Sequence, residues 1–365
     1  MILFLGAGAS KPFEIPVTRD FALEVVESLS KVTGEASDFL NELKSFFGEK
    51  FDLEVLLTLL DDLAKENPLE FISPTATQFI LNKSNPKDYV MDPKLHKSAA
   101  SLFTSVIDIM RGKVLTKARE KKDLILQVYD RLFETLTKRS GSSYRTGDSK
   151  ISIPSGLKWI FTTNYDQCIE TYFNERRVDF EDGIERKYAS DLYQIDNINK
   201  PRRNLTLVKM HGSIDFFKTE NGSIVSLQLP FTKRKDIEEK VLPLGIKIED
   251  EVLLYPTEAG TNRKVIESPF SDLYYRFRMS FQADPHMIII GFSLRDRTIS
   301  SIIENILVSG IAHNAQIYLI DPKATDIKEM LKQKGFIFLS NIIIPIVNGV
   351  DDTELPQILL TSLKD

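Results

Sequence analysis

The sequence predicts an α/β fold, with a doubly wound, mostly parallel sheet that carries a large helical insertion. Three observations support this. A strand–turn–helix unit opens the chain, a long stretch of helical spacing follows, and short apolar runs then alternate with helical runs. Of the 365 residues, 42% are hydrophobic and 10% aromatic, as in globular proteins. The length fits one large domain with an insertion, or two domains, and we favour a single domain over residues 1–365.

The predicted strands and helices alternate along the chain. Ile2–Leu5 is an apolar run typical of a strand, and an amphipathic stretch begins at Thr18 after a glycine-rich turn. Later runs typical of buried strands are Leu157–Thr162, Leu205–Met210, Met287–Ile290, Gln316–Ile320 and Phe336–Val347. Helical spacing is found in Tyr165–Phe173, Pro269–Phe281, Thr298–Leu307 and Ala324–Lys334. Apolar strands separated by helices indicate a mostly parallel sheet.

Two stretches depart from this alternation. Between about residues 35 and 150, apolar side chains recur at helical spacing, and a polar loop at Gly141–Ser149 closes the region. We expect a helical insertion there, which serves either as core and lid or as a contact surface. Residues 218–250 are highly charged and show no clear period, so an irregular surface insertion is predicted.

Charge and cysteine content exclude several classes of function. A formal net charge of −5 argues against a surface that neutralises many phosphates, so direct nucleic-acid binding is not expected. The single cysteine, Cys168, excludes an internal disulfide framework and a zinc site built from several cysteines. We therefore expect no metal. The apolar runs are too short for a signal peptide or a membrane span, which predicts a cytoplasmic protein that does not enter a membrane.

The turn after the first strand, Gly6-Ala7-Gly8-Ala9-Ser10, is the first candidate site. Glycines let the backbone approach a pyrophosphate, and a following helix N-terminus offers free N–H groups. Lys11 stands where a third glycine would complete the dinucleotide-binding pattern, and no Gly-Lys-Ser/Thr follows, so the turn is not a P-loop. Considered alone, it is equally well interpreted as a plain strand-to-helix corner.

Polar residues also follow later strands. Thr163, Asn164 and Asp166 come directly after the strand that ends at Thr162, where open α/β sheets bind ligands. Asn164 and Asp166 would also serve as caps of the next helix.

His211 leaves the following strand just before a glycine, a position from which an imidazole can project into a cleft. Histidine suits proton transfer near neutral pH. For the other histidines, His96, His286 and His313, we favour structural or surface roles.

Together these segments resemble the sirtuins, the silent information regulator-2 superfamily. Residues 6–19 (GAGASKPFEIPVTR) resemble the family's opening pattern, with Ile15-Pro16 and Arg19 in register, although Val17 and Thr18 replace an expected aspartate and phenylalanine. Further elements in the family's order are Thr162-Thr163-Asn164-Tyr165-Asp166, His211-Gly212, Gly291-Phe292-Ser293 and Asp321. The resemblance implies a Rossmann-like fold whose NAD-binding core spans about residues 1–30, 155–217 and 250–350.

The resemblance also implies roles for single residues. Asn164 would orient the ribose hydroxyls or a water, His211 would be the general base, and Asp166 would contact the nicotinamide amide. The phosphates would lie against Gly6, Gly8 and Ser10, and Asp321 would hold the adenosine ribose. The implied cofactor-binding set as a whole is Gly6, Ala7, Gly8, Ser10, Arg19, Thr163, Gly291, Ser293 and Asp321.

Sirtuins that deacylate proteins carry a four-cysteine zinc ribbon, which one cysteine cannot build. The chain better resembles a zinc-free bacterial branch whose members hydrolyse NAD in antiphage defence. Leu254-Tyr255-Pro256-Thr257 and Pro269–Phe277 also resemble that branch. The implied activity is cleavage of NAD as substrate to nicotinamide and ADP-ribose. The alternatives are an NAD-dependent protein deacylase, an ADP-ribosyltransferase, and a non-catalytic NAD- or ADP-ribose-binding scaffold.

An unrestrained NAD hydrolase would kill its own cell, so the implied activity needs control. The chain has no Walker-type motif of its own with which to sense nucleotides. In the branch that it resembles, compact chains are often encoded beside a HerA-type hexameric ATPase. We therefore expect a homo-oligomer, a complex with such a defence partner, or both.

Overall fold

A computed structural model of the chain describes residues 1–30, 34–65, 73–146, 148–187, 190–193, 201, 203–227, 231–255, 263–312 and 314–362. His313, Pro256 and Thr257, named above, lie outside these residues. Within the described ranges, no helix is both long enough and apolar enough to cross a membrane.

The strands and helices are numbered in chain order. The strands are β1 (Ile2–Leu5), β2 (Ser143–Tyr144), β3 (Ile153–Pro154), β4 (Trp159–Thr162), β5 (Ile184–Lys187), β6 (Ser190–Tyr193), β7 (Thr206–Lys209), β8 (Gly212–Thr219), β9 (Ile224–Ser226), β10 (Ile248–Leu253), β11 (His286–Ile290), β12 (Gln316–Ile320) and β13 (Ile343–Ile346). The helices are α1 (Thr18–Ser30), α2 (Gly34–Phe47), α3 (Leu53–Leu63), α4 (Pro74–Leu81), α5 (Pro86–Val90), α6 (Pro93–Glu120), α7 (Lys122–Ser140), α8 (Cys168–Arg176), α9 (Arg234–Val241), α10 (Phe270–Ala283), α11 (Arg297–Val308), α12 (Ala324–Gln333), α13 (Ile337–Ile342) and α14 (Leu355–Ser362).

Six parallel strands form the central sheet, in the order β13-β12-β11-β1-β4-β7. From β1 the chain adds β4 and β7 on one side, and then returns to add β11, β12 and β13 on the other. This reversal creates a switch point between β1 and β11, where open α/β sheets bind ligands at the carboxyl ends of their strands. The predicted doubly wound, Rossmann-like fold is confirmed.

The two faces of the sheet bury alternate residues of each strand. On β1, Leu3 and Leu5 pack with the apolar faces of α1, α3, α6 and α7, whereas Ile2 and Phe4 pack with α10, α11 and α12 on the opposite face. The alternation follows from the two-residue period of a strand. The region between residues 35 and 150 is therefore helical, and its side chains share one apolar cluster with the sheet.

Residues 218–250 are more regular than the sequence indicated. They contain β9, α9 and the start of β10. The two strands belong to an antiparallel sheet of order β10-β8-β9-β6-β5. Their charged side chains form ion pairs across these elements, as between Lys218 and Glu249 at 3.0 Å and between Arg234 and Glu251 at 3.1 Å. Charge density alone is thus compatible with ordered secondary structure.

The strand predicted over Phe336–Val347 is wrong in its first half. Residues there form helix α13, and only Ile343–Ile346 joins the sheet as β13. Glu304 of α11 accepts hydrogen bonds from the N–H groups of Phe338 and Leu339, at 3.0 and 2.6 Å, at the start of α13. A short apolar run cannot distinguish helix from strand, and this carboxylate supplies a tertiary contact that the run itself does not reveal.

At the switch point, the loops after β1 and β11 meet backbone to backbone. The Gly8 N–H group donates to the Gly291 carbonyl at 2.8 Å. A Cβ atom added to Gly291 would lie 2.2 Å from the Ala9 nitrogen. The Gly291 backbone also has a φ of +62°, which residues with a side chain rarely adopt. These glycines are required because each leaves room for the other loop.

A buried arginine joins α6 to the antiparallel sheet. The Arg111 side chain is 2% exposed, and its guanidinium lies 3.0 Å from the Asp108 carboxylate and 3.5 Å from that of Glu251. Its Nε donates to the Ile214 carbonyl at 3.1 Å, at the start of β8. The helical region is thereby attached to the strand that follows His211.

We expect Gly291→Ala to destabilise the fold by roughly 2 to 5 kcal/mol, since it combines a left-handed backbone with a steric overlap. Urea denaturation measures the loss. Gly156→Ala is the control, because no neighbouring atom lies within 4 Å of its added Cβ. Equal stability of the two variants would contradict the described contact of the two loops.

Replacement of Arg111 by methionine should cost roughly 2 to 3 kcal/mol of unfolding free energy, because Glu251 and the Ile214 carbonyl lose a buried cationic partner. The loss is not larger because Arg234 still pairs with Glu251. Lys235→Met removes an exposed pair with Glu239 and should change stability by less than about 1 kcal/mol. The same urea titration compares both variants, and an equal effect would show that burial of the Arg111 network does not matter.

Candidate active site

The five candidate segments lie along one edge of the central sheet. Each follows a parallel strand, and its first residues continue the hydrogen-bond ladder onto the neighbouring strand. The backbone N–H groups donate from Gly6 to Ile290 (2.9 Å), Thr163 to Leu5 (3.2 Å), Met210 to Thr162 (2.7 Å), Gly291 to Ile320 (2.9 Å) and Asp321 to Ile346 (3.1 Å). The segments are therefore held side by side by backbone contacts.

The glycine turn differs in detail from a phosphate loop that opens directly into a helix. Two short 3-10 turns follow it, over Ala7–Ala9 and Lys11–Phe13, and α1 begins only at Thr18. The N–H groups of Gly6, Gly8, Ala9 and Ser10 already donate to backbone carbonyls. Of these five turn residues, only Ala7 makes no such bond through its N–H group to a described residue.

Asn164 lies directly beneath this turn and is only 8% exposed. Its Nδ2 donates to the Gly6 carbonyl at 2.9 Å and to Ser10 Oγ at 3.0 Å. Because a carbonyl can only accept, the Gly6 contact fixes the orientation of the Asn164 amide. Its Oδ1 is buried and has no hydrogen-bond partner among the described residues. A buried acceptor of this kind calls for an explanation, and a ligand hydroxyl or a water would supply its missing donor.

Ser10 connects Asn164 to Asp166. Its hydroxyl accepts from Asn164 and donates to Asp166 Oδ2 at 2.7 Å, and Ser10 is 1% exposed. The other Asp166 oxygen accepts from the N–H of Cys168, the first residue of α8, at 2.9 Å. This last bond fits the capping alternative for Asp166. The Ser10 hydroxyl holds two site residues together rather than pointing freely toward a phosphate.

A buried lysine, Lys209, binds the loop between β4 and α8. Lys209 Nζ donates to the Asp166 carbonyl and to Glu170 Oε1, the latter at 2.7 Å. Burial raises the pKa of Glu170 to about 7, against the opposing attraction of Lys209. The ammonium group thus fixes the backbone between β4 and α8.

His211 lies in a second buried cluster and is 3% exposed. Its Nε2 is 3.1 Å from Asp296 Oδ2, and the Tyr274 hydroxyl donates to that same oxygen at 3.0 Å. Sequence reasoning missed both partners. Asp296 stands in the segment that follows β11, but its position before α11 indicates only a helix cap, and Tyr274 carries no sequence signal that separates it from the other aromatic residues of α10.

The remaining sequence candidates lie apart from these clusters. Arg19 is exposed in the first turn of α1, and Ser293 is half-buried in the loop after β11. Asp321 is half-buried after β12, where its Oδ1 accepts from the Lys323 N–H at 2.8 Å. The structure therefore brings Ser10, Asn164 and Asp166 into direct contact but leaves Arg19 and Asp321 outside that contact. Across the described ranges, no group of three or more His, Cys, Asp or Glu side chains is arranged to hold a metal ion.

Part of the chain is similar to a known protein family. A search of curated proteins finds none that matches the chain, whereas the family model for the SIR2-like domain matches residues 158–339. The matched span runs from the start of β4 into α13. It contains Asn164, Asp166, His211 and Asp296, while β1 and its glycine turn lie before it. The match supports the assignment of this chain to the SIR2 superfamily, whose domain uses NAD.

Proposed function

We propose that the protein hydrolyses NAD to nicotinamide and ADP-ribose. The observation that carries the proposal is the buried pair of Asn164 and His211, which follow β4 and β7 at the carboxyl edge of a Rossmann-like sheet. Asn164 retains an unpartnered acceptor in this position. A scaffold that only bound the dinucleotide would have no need for both a buried imidazole and a spare amide oxygen.

The chemistry requires few protein groups. The nicotinamide of NAD is a cationic leaving group, and the bond between its ring nitrogen and ribose C1 breaks with the electron pair passing to that nitrogen. An oxocarbenium-like ribosyl centre forms, as in glycoside cleavage. A water oxygen then bonds to C1, and His211 accepts the proton that this water loses.

The remaining residues would hold the substrate. Asn164 Oδ1 would accept a hydrogen bond from a ribose hydroxyl or from the attacking water, since its Nδ2 is already committed to Gly6 and Ser10. Asp166 would face the nicotinamide amide, and the turn at Gly6–Gly8 with Gly291 and Ser293 would support the dinucleotide. Arg19 would brace the loop, and Asp321 would bind the adenosine ribose.

We further propose that the activity is restrained, as an NAD-depleting effector of antiphage defence would require. Asn164, Asp166 and His211 are each less than 9% exposed, so a change in the surrounding loops would alter access to them. A homo-oligomer, or a complex with a partner such as a HerA-type hexameric ATPase, would supply that control. The net charge of −5 favours a protein partner over direct contact with nucleic acid.

Two alternative enzymes use the same ribosyl chemistry. A protein deacylase would transfer an acyl group from lysine to ADP-ribose, and an ADP-ribosyltransferase would pass the ribosyl group to an acceptor other than water. The single cysteine argues against the zinc ribbon that most deacylases carry. Among the described residues of the site, we identify none that would bind an acceptor protein.

Purified protein incubated with NAD should release nicotinamide and ADP-ribose in equal amounts, as measured by chromatography. Asn164→Ala and His211→Ala should each lower the rate by roughly 100-fold or more, because each removes a positioning or proton-accepting group. His286→Ala is the control, since the His286 side chain is exposed at the start of β11 and hydrogen-bonds only to Asp284 among the described residues.

Three outcomes would count against hydrolysis by this site. Acyl transfer from an acylated peptide in step with nicotinamide release would indicate a deacylase. Bound NAD without turnover, with and without candidate partners, would indicate a scaffold. Full activity of His211→Ala would remove the general-base assignment.

Ser10→Ala tests whether this hydroxyl positions Asn164 and Asp166 or binds a phosphate. We expect kcat to fall by roughly 10-fold or more with little change in KM, because hydrogen bonds to charged groups contribute about 1.5 to 3 kcal/mol. A raised KM at unchanged kcat would instead indicate loss of phosphate binding. Ser28→Ala is the control, since among the described residues the Ser28 hydroxyl donates only to the Glu24 carbonyl within α1.

A further inference from the structure

We infer that Asp296 is a positioning residue that fixes the tautomer of His211, so that Nδ1 is the ring nitrogen that accepts the proton. The inference rests on the proposed hydrolysis and adds to it a named base atom and the residue that orients it. It comes from contacts across the switch point, where the loop after β11 reaches the residue that follows β7.

The first step concerns the Asp296 carboxylate, which is buried and receives four hydrogen-bond contacts. Its Oδ1 accepts from the N–H groups of Thr298 and Ile299, at 2.8 and 3.3 Å, and thereby caps α11. Its Oδ2 lies 3.1 Å from His211 Nε2 and accepts from the Tyr274 hydroxyl at 3.0 Å. Backbone donors at a helix N-terminus stabilise a carboxylate, which is then able only to accept.

The tautomer follows from this arrangement. If Nε2 carried no proton, its lone pair would face a carboxylate oxygen at 3.1 Å, which is repulsive. Nε2 therefore carries the proton and donates it to Asp296. In neutral imidazole the other nitrogen is then unprotonated. Nδ1 has no hydrogen-bond partner in the part of the chain that the structure describes, so it is the nitrogen that is free to act as base.

Tyr274 completes the arrangement. Burial raises the pKa of the Tyr274 phenol well above its usual range, and the Asp296 charge adds to this effect. The phenol keeps its proton, and since Oδ2 of Asp296 is the nearer acceptor, the 3.3 Å contact with Nε2 is secondary. Tyr274 thus holds the carboxylate in place without competing for the His211 proton.

The loop that carries Asp296 also begins with Gly291, the residue that closes the switch point. Between them, Leu294 adopts a left-handed φ of 54°, and its carbonyl accepts from the Ser300 hydroxyl at 2.9 Å. A left-handed leucine is costly and persists only where surrounding contacts require it. The same loop would therefore support the dinucleotide at Gly291 and Ser293 and orient His211 through Asp296.

The decisive variant is Asp296→Asn, for which the helix cap predicts the outcome. Asn caps a helix about as well as Asp, and the N–H groups of Thr298 and Ile299 require its Oδ1. The amide Nδ2 must then face His211 and donate to Nε2, which forces the proton onto Nδ1. We expect the 15N spectrum of histidine-labelled protein to show this change of tautomer, with His211→Ala used to assign the signal.

In kinetics, Asp296→Asn should lower kcat by roughly 100-fold or more, with KM changed by less than about 3-fold, because the base nitrogen is blocked while the binding residues are intact. Tyr274→Phe should keep the wild-type tautomer and lose less activity. Asp92→Asn is the matched control: Asp92 caps α6 through the Lys94 N–H at 2.9 Å and is exposed. It should change neither the spectrum nor kcat.

The two readouts separate this inference from the proposed function. A wild-type His211 protonated on Nδ1, or an Asp296→Asn protein with an unchanged tautomer, would overturn the role of Asp296 even if the enzyme hydrolyses NAD. A full rate for Asp296→Asn would overturn it as well. If the wild type fails to turn over NAD, the proposed function fails, and the tautomer of each variant still decides whether Asp296 orients His211.

Discussion

The contact between the Gly8 and Gly291 backbones fixes the geometry of the whole carboxyl edge. A Cβ at either position would lie within 2.7 Å of the opposite backbone, so the two loops approach closely only because both residues are glycine. The contact joins the two halves of the doubly wound sheet at the point where its strand order reverses. On one side of this contact, the Asn164 amide donates a hydrogen bond to the Gly6 carbonyl. On the other side, Asp296 in the loop after β11 contacts His211.

This constraint changes the meaning of the glycine-rich turn. From the sequence, the glycines were interpreted as room for a pyrophosphate to approach the backbone. In the structure, most N–H groups of the turn already donate to the protein's own carbonyls. The space that the missing side chains leave is used by the neighbouring loop. Binding of a dinucleotide at this edge would then depend on the two loops staying in contact, because that contact holds Ala7 and Asn164 in position.

The features that the sequence predicted are local, and those that it did not predict are long-range. Buried strands and the polar residue after each one are encoded within a few neighbouring positions, so the sheet and the places of Asn164, Asp166 and His211 followed from short patterns. The partner of His211 stands 85 positions away, and Ser10 meets Asp166 across 156 positions. Helix α13 was missed for the same reason, since the carboxylate at its start belongs to α11. Only the folded sheet brings such residues together.

Arg111 is one of the buried side chains through which the helical region contacts segments next to the site. Arg111 of α6 donates to the Ile214 carbonyl, and the Ile214 N–H donates to the Tyr165 carbonyl at 3.3 Å, next to Asn164. A displacement of α6 would therefore act on the segments that carry both His211 and Asn164. Because these residues are buried, a partner that controlled the proposed reaction would have to act on them through such contacts. A partner bound to the outer surface of the helices would have a direct mechanical route to the site, through Arg111 and the first residues of β8.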